Sequence, residues 1–341
     1  MVAEVLFAGG RLDSLVTVAG SPTEGTSSSQ RDTAFADAVT ICGSTAVFVA
    51  APFFTDSGGV LSATTVVSGE TLWVHFEMYN LGTNFSTGAV VTIYDSSGFP
   101  WFRIVSASGG VMQPQYNSNT GASPTWTAVG DSLTIRGQTK FVWDLKLTLG
   151  SPHSFEWSLG SVKQSYGTFT QASFANAASA RFSSTGGTSG TAFSQILATR
   201  DITTIGARVK YCRATAAGAN TGWSGAYTDV NEAVGADGTL QSAASAGLKS
   251  THAMGDVTMP GNANKFRSLF HWLRANNNGA SPQNIKSVLR SSGVDYSTGD
   301  LSGIGTTLAA VGARYNQNPA TTADWVASDW NAMEAGYEAA A

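Results

Sequence analysis

Apolar and polar residues alternate in short runs along the first half of the chain. In ETLWVHFEMYN (70–80), Leu72, Val74 and Phe76 fall on one face and Trp73, His75 and Glu77 on the other. A period of two is that of a half-buried strand. The runs AVVTIYDSSG (89–98), FPWFRIVSASGG (99–110), DSLTIRGQTKFVWDLKLTLG (131–150) and SPHSFEWSLGSVKQSYGTF (151–169) are also rich in β-branched and aromatic residues. Clusters of Ser, Gly, Asn and Asp separate them, and that rhythm predicts an antiparallel sandwich or barrel. No long segment with a period of 3.6 precedes residue 230. ASARFSSTGGTSGTAF (178–193) reads as an exposed, mobile Gly/Ser/Thr loop. FSQILATRDITTIGARVKYCRAT (193–215) resumes strand character. A first domain is therefore expected over residues 1–205 and a second over 206–341.

The second part carries strand candidates at THAMGDVTM (251–259), KFRSLFHWLRAN (265–276), QNIKSVLRSSG (283–293) and GTTLAAVGARYNQ (305–317). KFRSLFHWLRAN also fits helical spacing, and its neighbours favour a strand. The ending NQNPATTADWVASDWNAMEAGYEA (316–339) reads differently. Asn318-Pro319 stops the last strand, because proline lacks a ladder donor. Thr321 or Thr322 can cap a turn holding Trp325, and Ser328 can cap a second turn, WNAMEAG, with Gly336 just past its end. Trp330, Met333 and Tyr337 stand three and four apart, so a helix would place them on one face. The expectation is a short helical lid of Trp325, Trp330, Met333 and Tyr337 over a sandwich end, with exposed Trp stacking on sugar rings as the functional alternative.

Composition narrows the partners. Charged residues are 12% of the 341, while hydrophobic residues are 42%. A core is therefore within reach, and the surface is dressed largely in Ser, Thr, Asn and Gly. Such a surface suits rigid assemblies, packed interfaces or sugar binding. Net charge is −4, and no Lys or Arg occurs between Arg31 and Arg103, so a basic stripe for nucleic acid is missing. The two cysteines, Cys42 and Cys212, lie in apolar runs and read as buried free thiols in a reducing compartment. MVAEVLF has no basic n-region, so no signal peptide is expected there. TAVFVAAPFF (45–54) is too short for a membrane-spanning helix, and no membrane insertion is expected.

Catalytic constellations are sparse. His75, His153, His252 and His271 are scattered, and HExxH, P-loop and GxSxG patterns are missing. Glu77, Asp144 and Glu156 are each the sole acid of their strand, although acids on neighbouring strands could still meet. DVNEAVGAD (229–237) gathers Asp229, Asn231, Glu232 and Asp237 without EF-hand spacing, and a solvated turn competes with calcium. No catalytic, cofactor or metal residue is assigned, and the chain is expected not to be an enzyme. Trp101, Trp126 and Trp223 lie near turns and are the rings to test for glycan stacking, against burial in a sandwich end.

ETLWVHFEMYN, TIYDSSGFPWFRI, TWTAVGDSLTI and FVWDLKLTLGSPHSFEWSLGSV, in that order, resemble the concanavalin A-like (laminin-G-type) jelly roll of tailed-bacteriophage virion proteins. LFAGGRLDSL is similar to their opening, FSQILATRDITTIGARV to the last strand of that domain, TGWSGAYTDVNE to the link and NPATTADWVASDWNAMEAGYEA to the ending. The resemblance implies an all-β chain of two tandem jelly rolls. It also implies a structural part of a virion (tail, neck, head appendage or capsid decoration), assembled in the host cytoplasm. Its partners would be other virion proteins and copies of itself. The runner-up is a lectin-like module for a bacterial surface polysaccharide. The resemblance implies an acid near Gln195, where this chain has the amide.

Overall fold

The computed structural model describes residues 3–12, 14–43, 47–82, 85, 87–107, 109–119, 123–135, 137–171, 174, 176–184, 190–231, 239–258, 266–277, 279, 284–301 and 304–341. The chain is all-β, with one five-residue α-helix, Ala327–Asn331, among the described residues. It divides into two units. The first takes Met1–Thr55 and Ala63–Val209, and the second takes Asp56–Ser62 and Lys210–Ala341.

The first unit is a sandwich of two antiparallel sheets. One runs in the order 162–169, 153–159, 140–148, 71–80, 191–200, 39–42 and 23–25, with Glu4–Gly9 also pairing on 191–200. The other runs 126–128, 111–117, 100–107, 88–94, 179–183, 48–52 and 16–19, with 133–134 also pairing on 111–117. The alternation predicted for 70–80 is present: Leu72, Val74, Phe76 and Met78 are all fully buried. A stack of rings runs across the strands, with Phe76 on Trp143 at 5.4 Å and Trp143 on Trp157 at 4.9 Å. Phe182 meets Phe76 edge-on at 5.2 Å from the facing sheet. Each such pair adds about 1 kcal/mol beyond the area it buries.

The segment 178–193 departs from the loop expected of it. Ser179–Ser183 is a strand paired on both sides, with 88–94 and 48–52, and Thr191 already begins the strand to Arg200. Ala180 and Phe182 supply the apolar face that small-residue counting overlooks. Residues 185–189 of that expected loop lie outside the described residues.

The second unit carries a five-stranded sheet (214–221, 249–254, 333–340, 284–291, 294–297) and a four-stranded one (269–275, 309–315, 60–63, 54–57), to whose last two strands it contributes residues 56–62. KFRSLFHWLRAN therefore contributes a strand, Leu269–Ala275. The helical lid is corrected. The turn at Ala327–Asn331 exists, capped by the Asp329 carboxylate, which accepts the Val326 N–H at 3.1 Å. Ser328 makes no such cap. Met333–Ala340 is a central strand, paired with 249–254 and 284–291. Met333, Ala335, Tyr337 and Ala339 are buried at a period of two. Gly336 is no helix end: a Cβ there would run into the Ser250 carbonyl, so the glycine allows the two strands to approach. Trp325 and Trp330 are core residues, donating their indole N–H to Tyr315 O at 2.9 Å and Gly255 O at 3.0 Å. Cys42 is a buried free thiol, pushed up to about 12 by burial, and Cys212 is half-buried.

Candidate functional site

Period-two alternation turns Trp73, Lys146, Glu156 and Tyr166 away from the first unit's core. Register brings them into one row, with Trp73 opposite Lys146, Lys146 opposite Glu156 and Glu156 opposite Tyr166. At the end of this row lies an open groove of about 380 Å3, lined by Lys146, Ser154, Glu156, Tyr166 and Thr168 with Phe155 and Gly167. Tyr166 is 67% exposed. Lys163 Nζ lies 2.9 Å from Glu156 Oε2 and 5.4 Å from the Tyr166 ring centre. Lys146 Nζ lies 5.5 Å from the Trp73 ring centre. The row thus sets two opposite charges between two rings, with hydroxyls beside it. Such a surface can take the C–H face of a sugar on a ring and its hydroxyls on the carboxylate and ammonium groups.

One row further along, the same face is closed. His75 Nδ1 and Asp144 Oδ1 are 2.8 Å apart, and the Thr204 hydroxyl donates to the same oxygen at 2.7 Å. Glu77 Oε2 accepts from Gln195 Nε2 at 2.7 Å, the Ser194 hydroxyl at 3.1 Å and the Asp32 N–H at 3.2 Å. Lys140 Nζ stands 3.5 Å from Glu77 Oε1. His75, Asp144, Glu77 and Gln195 are each at most 1% exposed. The acids do not pair with one another. Opposite Glu77 stand Val142 and Ser194, opposite Asp144 His75 and Ser158, and opposite Glu156 Lys146 and Tyr166. Sequence reading overlooked the His75–Asp144 pair because 68 positions separate the two residues. The only available signal was that each takes the outward phase of its strand.

Gln195 sits in a bulge between Ser194 and Leu197 with φ +49°. Its amide fits where an acid would face Glu77 across a hydrogen-bond distance and repel it. Gly10, at φ +134°, packs against this bulge, and a Cβ there would lie 2.9 Å from Gln195 N.

The three tryptophans singled out for glycan stacking fall in different places. Trp101 is 2% exposed and stacks on Phe174 at 3.6 Å, so it offers no face to a ligand. Trp126 is half-buried at a sheet edge with the Arg103 guanidinium 4.0 Å above its ring. Trp223 donates to Leu248 O at 3.0 Å and meets Tyr337 edge-on at 4.6 Å, which makes it packing for the second unit. Asp229 caps a 3-10 turn by accepting the Ala226 N–H at 2.7 Å, and Glu232 and Asp237 lie outside the described residues. No group of three metal-ligating side chains occurs among the described residues. Burial pushes His153, His252 and His271 below the usual imidazole range, His271 to about 4.

No protein-family model matches the chain, and no curated protein matches it. Solved structures do. The chain is similar to the globular domain of Trypanosoma cruzi calreticulin, with TM-score 0.38, 11% identity and coverage of 57% of this chain and 87% of that one. It is similar to the endo-β-1,4-glucuronan lyase of the fungus Trichoderma reesei, with TM-score 0.37, 9% identity and coverage of 56% and 93%. It is similar to a conserved carbohydrate esterase of the Shiga toxin-encoding bacteriophage phi24B, with TM-score 0.38, 7% identity and coverage of 58% and 99%. These are all-β sandwich folds, in keeping with a concanavalin A-like architecture, and several are named for action on carbohydrate. The expectation of a non-enzymatic chain does not stand, because lyases and an esterase are among the proteins of similar fold. At these identities the likeness concerns the fold and assigns no activity to this chain.

Proposed function

We propose that the first unit is a carbohydrate-binding module for a bacterial surface glycan. The observation that carries this reading is the row Trp73–Lys146–Glu156–Tyr166 beside an open groove on the outer sheet face. Sugar rings stack on exposed aromatic faces, and their hydroxyls need donors and acceptors held nearby. Lys146 and Glu156 stand on strands of the sheet itself, which holds them more firmly than loops would. The order of motifs resembling phage virion proteins supports a place for this face on a particle, in contact with other virion proteins.

The test is titration of the protein with a panel of host polysaccharides, followed by tryptophan fluorescence. Tyr166→Ala is expected to weaken binding about tenfold, since one stacked ring is worth about 1.4 kcal/mol. Glu156→Gln is expected to shift preference among sugars. Silence across the whole panel would remove the glycan reading. Antibody labelling of purified particles under the electron microscope tests the placement, with label at tail tip or fibres expected.

A further inference from the structure

The first unit's other sheet carries two arginines that no carboxylate answers among the described residues. Arg103 and Arg181 are the register partners of Thr92, one on each side, in the adjoining strands 100–107, 88–94 and 179–183. At ~4.8 Å per strand their Cα atoms lie about 10 Å apart. Three other arginines meet carboxylates: Arg11 with Glu24 and Asp37, Arg200 with Glu4 and Glu70, and Arg290 with Asp295. Here each guanidinium lies instead over a ring, Arg103 4.0 Å from the Trp126 centre and Arg181 3.7 Å from the Tyr94 centre. Arg103 directs Nε and Nη2 to the single oxygen Gln115 Oε1, at 2.8 and 2.6 Å. Arg181 Nε is buried without an acceptor. Desolvation brings Arg103 down to about 10, and the one titratable neighbour that acts on it is Tyr94, so it stays charged at neutral pH.

We infer that Arg103 and Arg181, flanking Thr92, form a second binding site on the first unit, for a polysaccharide that bears carboxylates. Three arguments fix the class. A ring supports a cation without neutralising it, so both charges remain available. The guanidinium fork matches a carboxylate in two-point contact. All three strands are paired on both sides, so a peptide cannot dock by strand addition, and an extended polymer must lie across the pleat. Nucleic acid would need a longer cationic track, and the chain's net charge of −4 opposes it. This site lies on the opposite sheet from the groove proposed above and does not depend on it.

The experiment is calorimetric titration at low salt with oligogalacturonate, its methyl ester and oligo-dT. The wild type is expected to bind the free acid at least about tenfold more tightly than the ester, one charge-assisted contact being worth about that much. The double variant Arg103→Gln/Arg181→Gln is expected to lose about tenfold for the acid, while Val294→Ala, at an exposed position of the second unit, leaves it unchanged. Thermal melting checks the fold of each variant. If the glutamine pair does not fold, Arg103→Lys/Arg181→Lys keeps the charges and loses the forks, and about threefold weakening is expected. No binding of the free acid overturns the inference, as does equal affinity for acid and ester. So does tighter binding of oligo-dT than of the acid, or wild-type affinity in the folded arginine variants. Loss of acid binding in Tyr166→Ala with none in the arginine pair moves the site to the groove and also overturns it.

Discussion

The two outer faces of the first unit treat charge in opposite ways. On the face that carries the groove, every acid of the central strands is answered by a hydrogen-bonding partner. His75 and Thr204 meet Asp144, while Gln195, Ser194 and Lys140 meet Glu77, and Lys163 meets Glu156. Where these partners gather, His75, Glu77, Asp144 and Gln195 are buried, whereas Tyr166, at the end of the neighbouring row, stays exposed. On the other face the two guanidiniums rest on Tyr94 and Trp126 and meet no carboxylate among the described residues. On the first face the buried acids are held by hydrogen-bond partners and the exposed one by an ion pair, whereas the two guanidiniums on the second are propped on rings. The contrast teaches that the same strand geometry yields a structural row or a receptive one, according to the partner across the register.

The sharpest break is Asp144→Ala. It strands the buried His75 ring and the Thr204 hydroxyl together, and a loss of about 3 kcal/mol in urea unfolding is expected. A loss under about 1 kcal/mol would mean that the closed face does not depend on its pairing. Gln195→Glu comes next. A second carboxylate would stand where Gln195 Nε2 now donates to Glu77 at 2.7 Å. About 2 kcal/mol of destabilisation at neutral pH is expected, relieved on acidification as one of the two acids takes up a proton. Melting at two pH values checks the sign.

The second unit sharpens the comparison with a half-buried histidine, His271. Burial, then His252, hold His271 at about 4, below the 6.5 of the unfolded chain. Between these values the unfolded state binds more protons than the folded one, so stability is full above about 6.5 and falls as pH drops toward 4. A fall of about 3–5 °C in the midpoint is expected across that window, and His271→Gln should reduce it, leaving the share of His153 and His252. The smallest effect is expected from Arg181→Gln. A cation that no carboxylate answers contributes little to folding, and a change within about 0.5 kcal/mol either way is expected. A large loss there would show that Arg181 is structural after all, and the contrast between the faces would collapse.

Much of this was legible in the sequence, and particular residues show where legibility stopped. The phase of 70–80 placed Trp73, His75 and Glu77 together on the outward face, where they are found. The outward phase of Lys146 and of Glu156 could be read in the same way. Their meeting with Trp73 and Tyr166 could not, because the strand 71–80 pairs with 140–148 and with 191–200, far along the chain. Trp101 looked available beside a turn, yet Phe174 covers it from a distant segment. In the C-terminal stretch, Trp330, Met333 and Tyr337 satisfy a helical spacing, while Met333, Ala335, Tyr337 and Ala339 satisfy a strand spacing equally well. The tie is broken by Gly336, whose missing side chain admits the Ser250 backbone.

By itself the sequence determined that this is an all-β chain with low surface charge, and which side chains share a face within each strand. Both follow from local causes, the pleat's period of two and the composition. Only the tertiary structure decided which rows cross the sheets, which acids find partners and which arginines do not. Register is set by the packing of distant apolar faces, and a slip of one residue would exchange every inward and outward side chain. The closed face, the open groove and the two arginines on rings are therefore consequences of strand pairing, written in no single stretch of the chain.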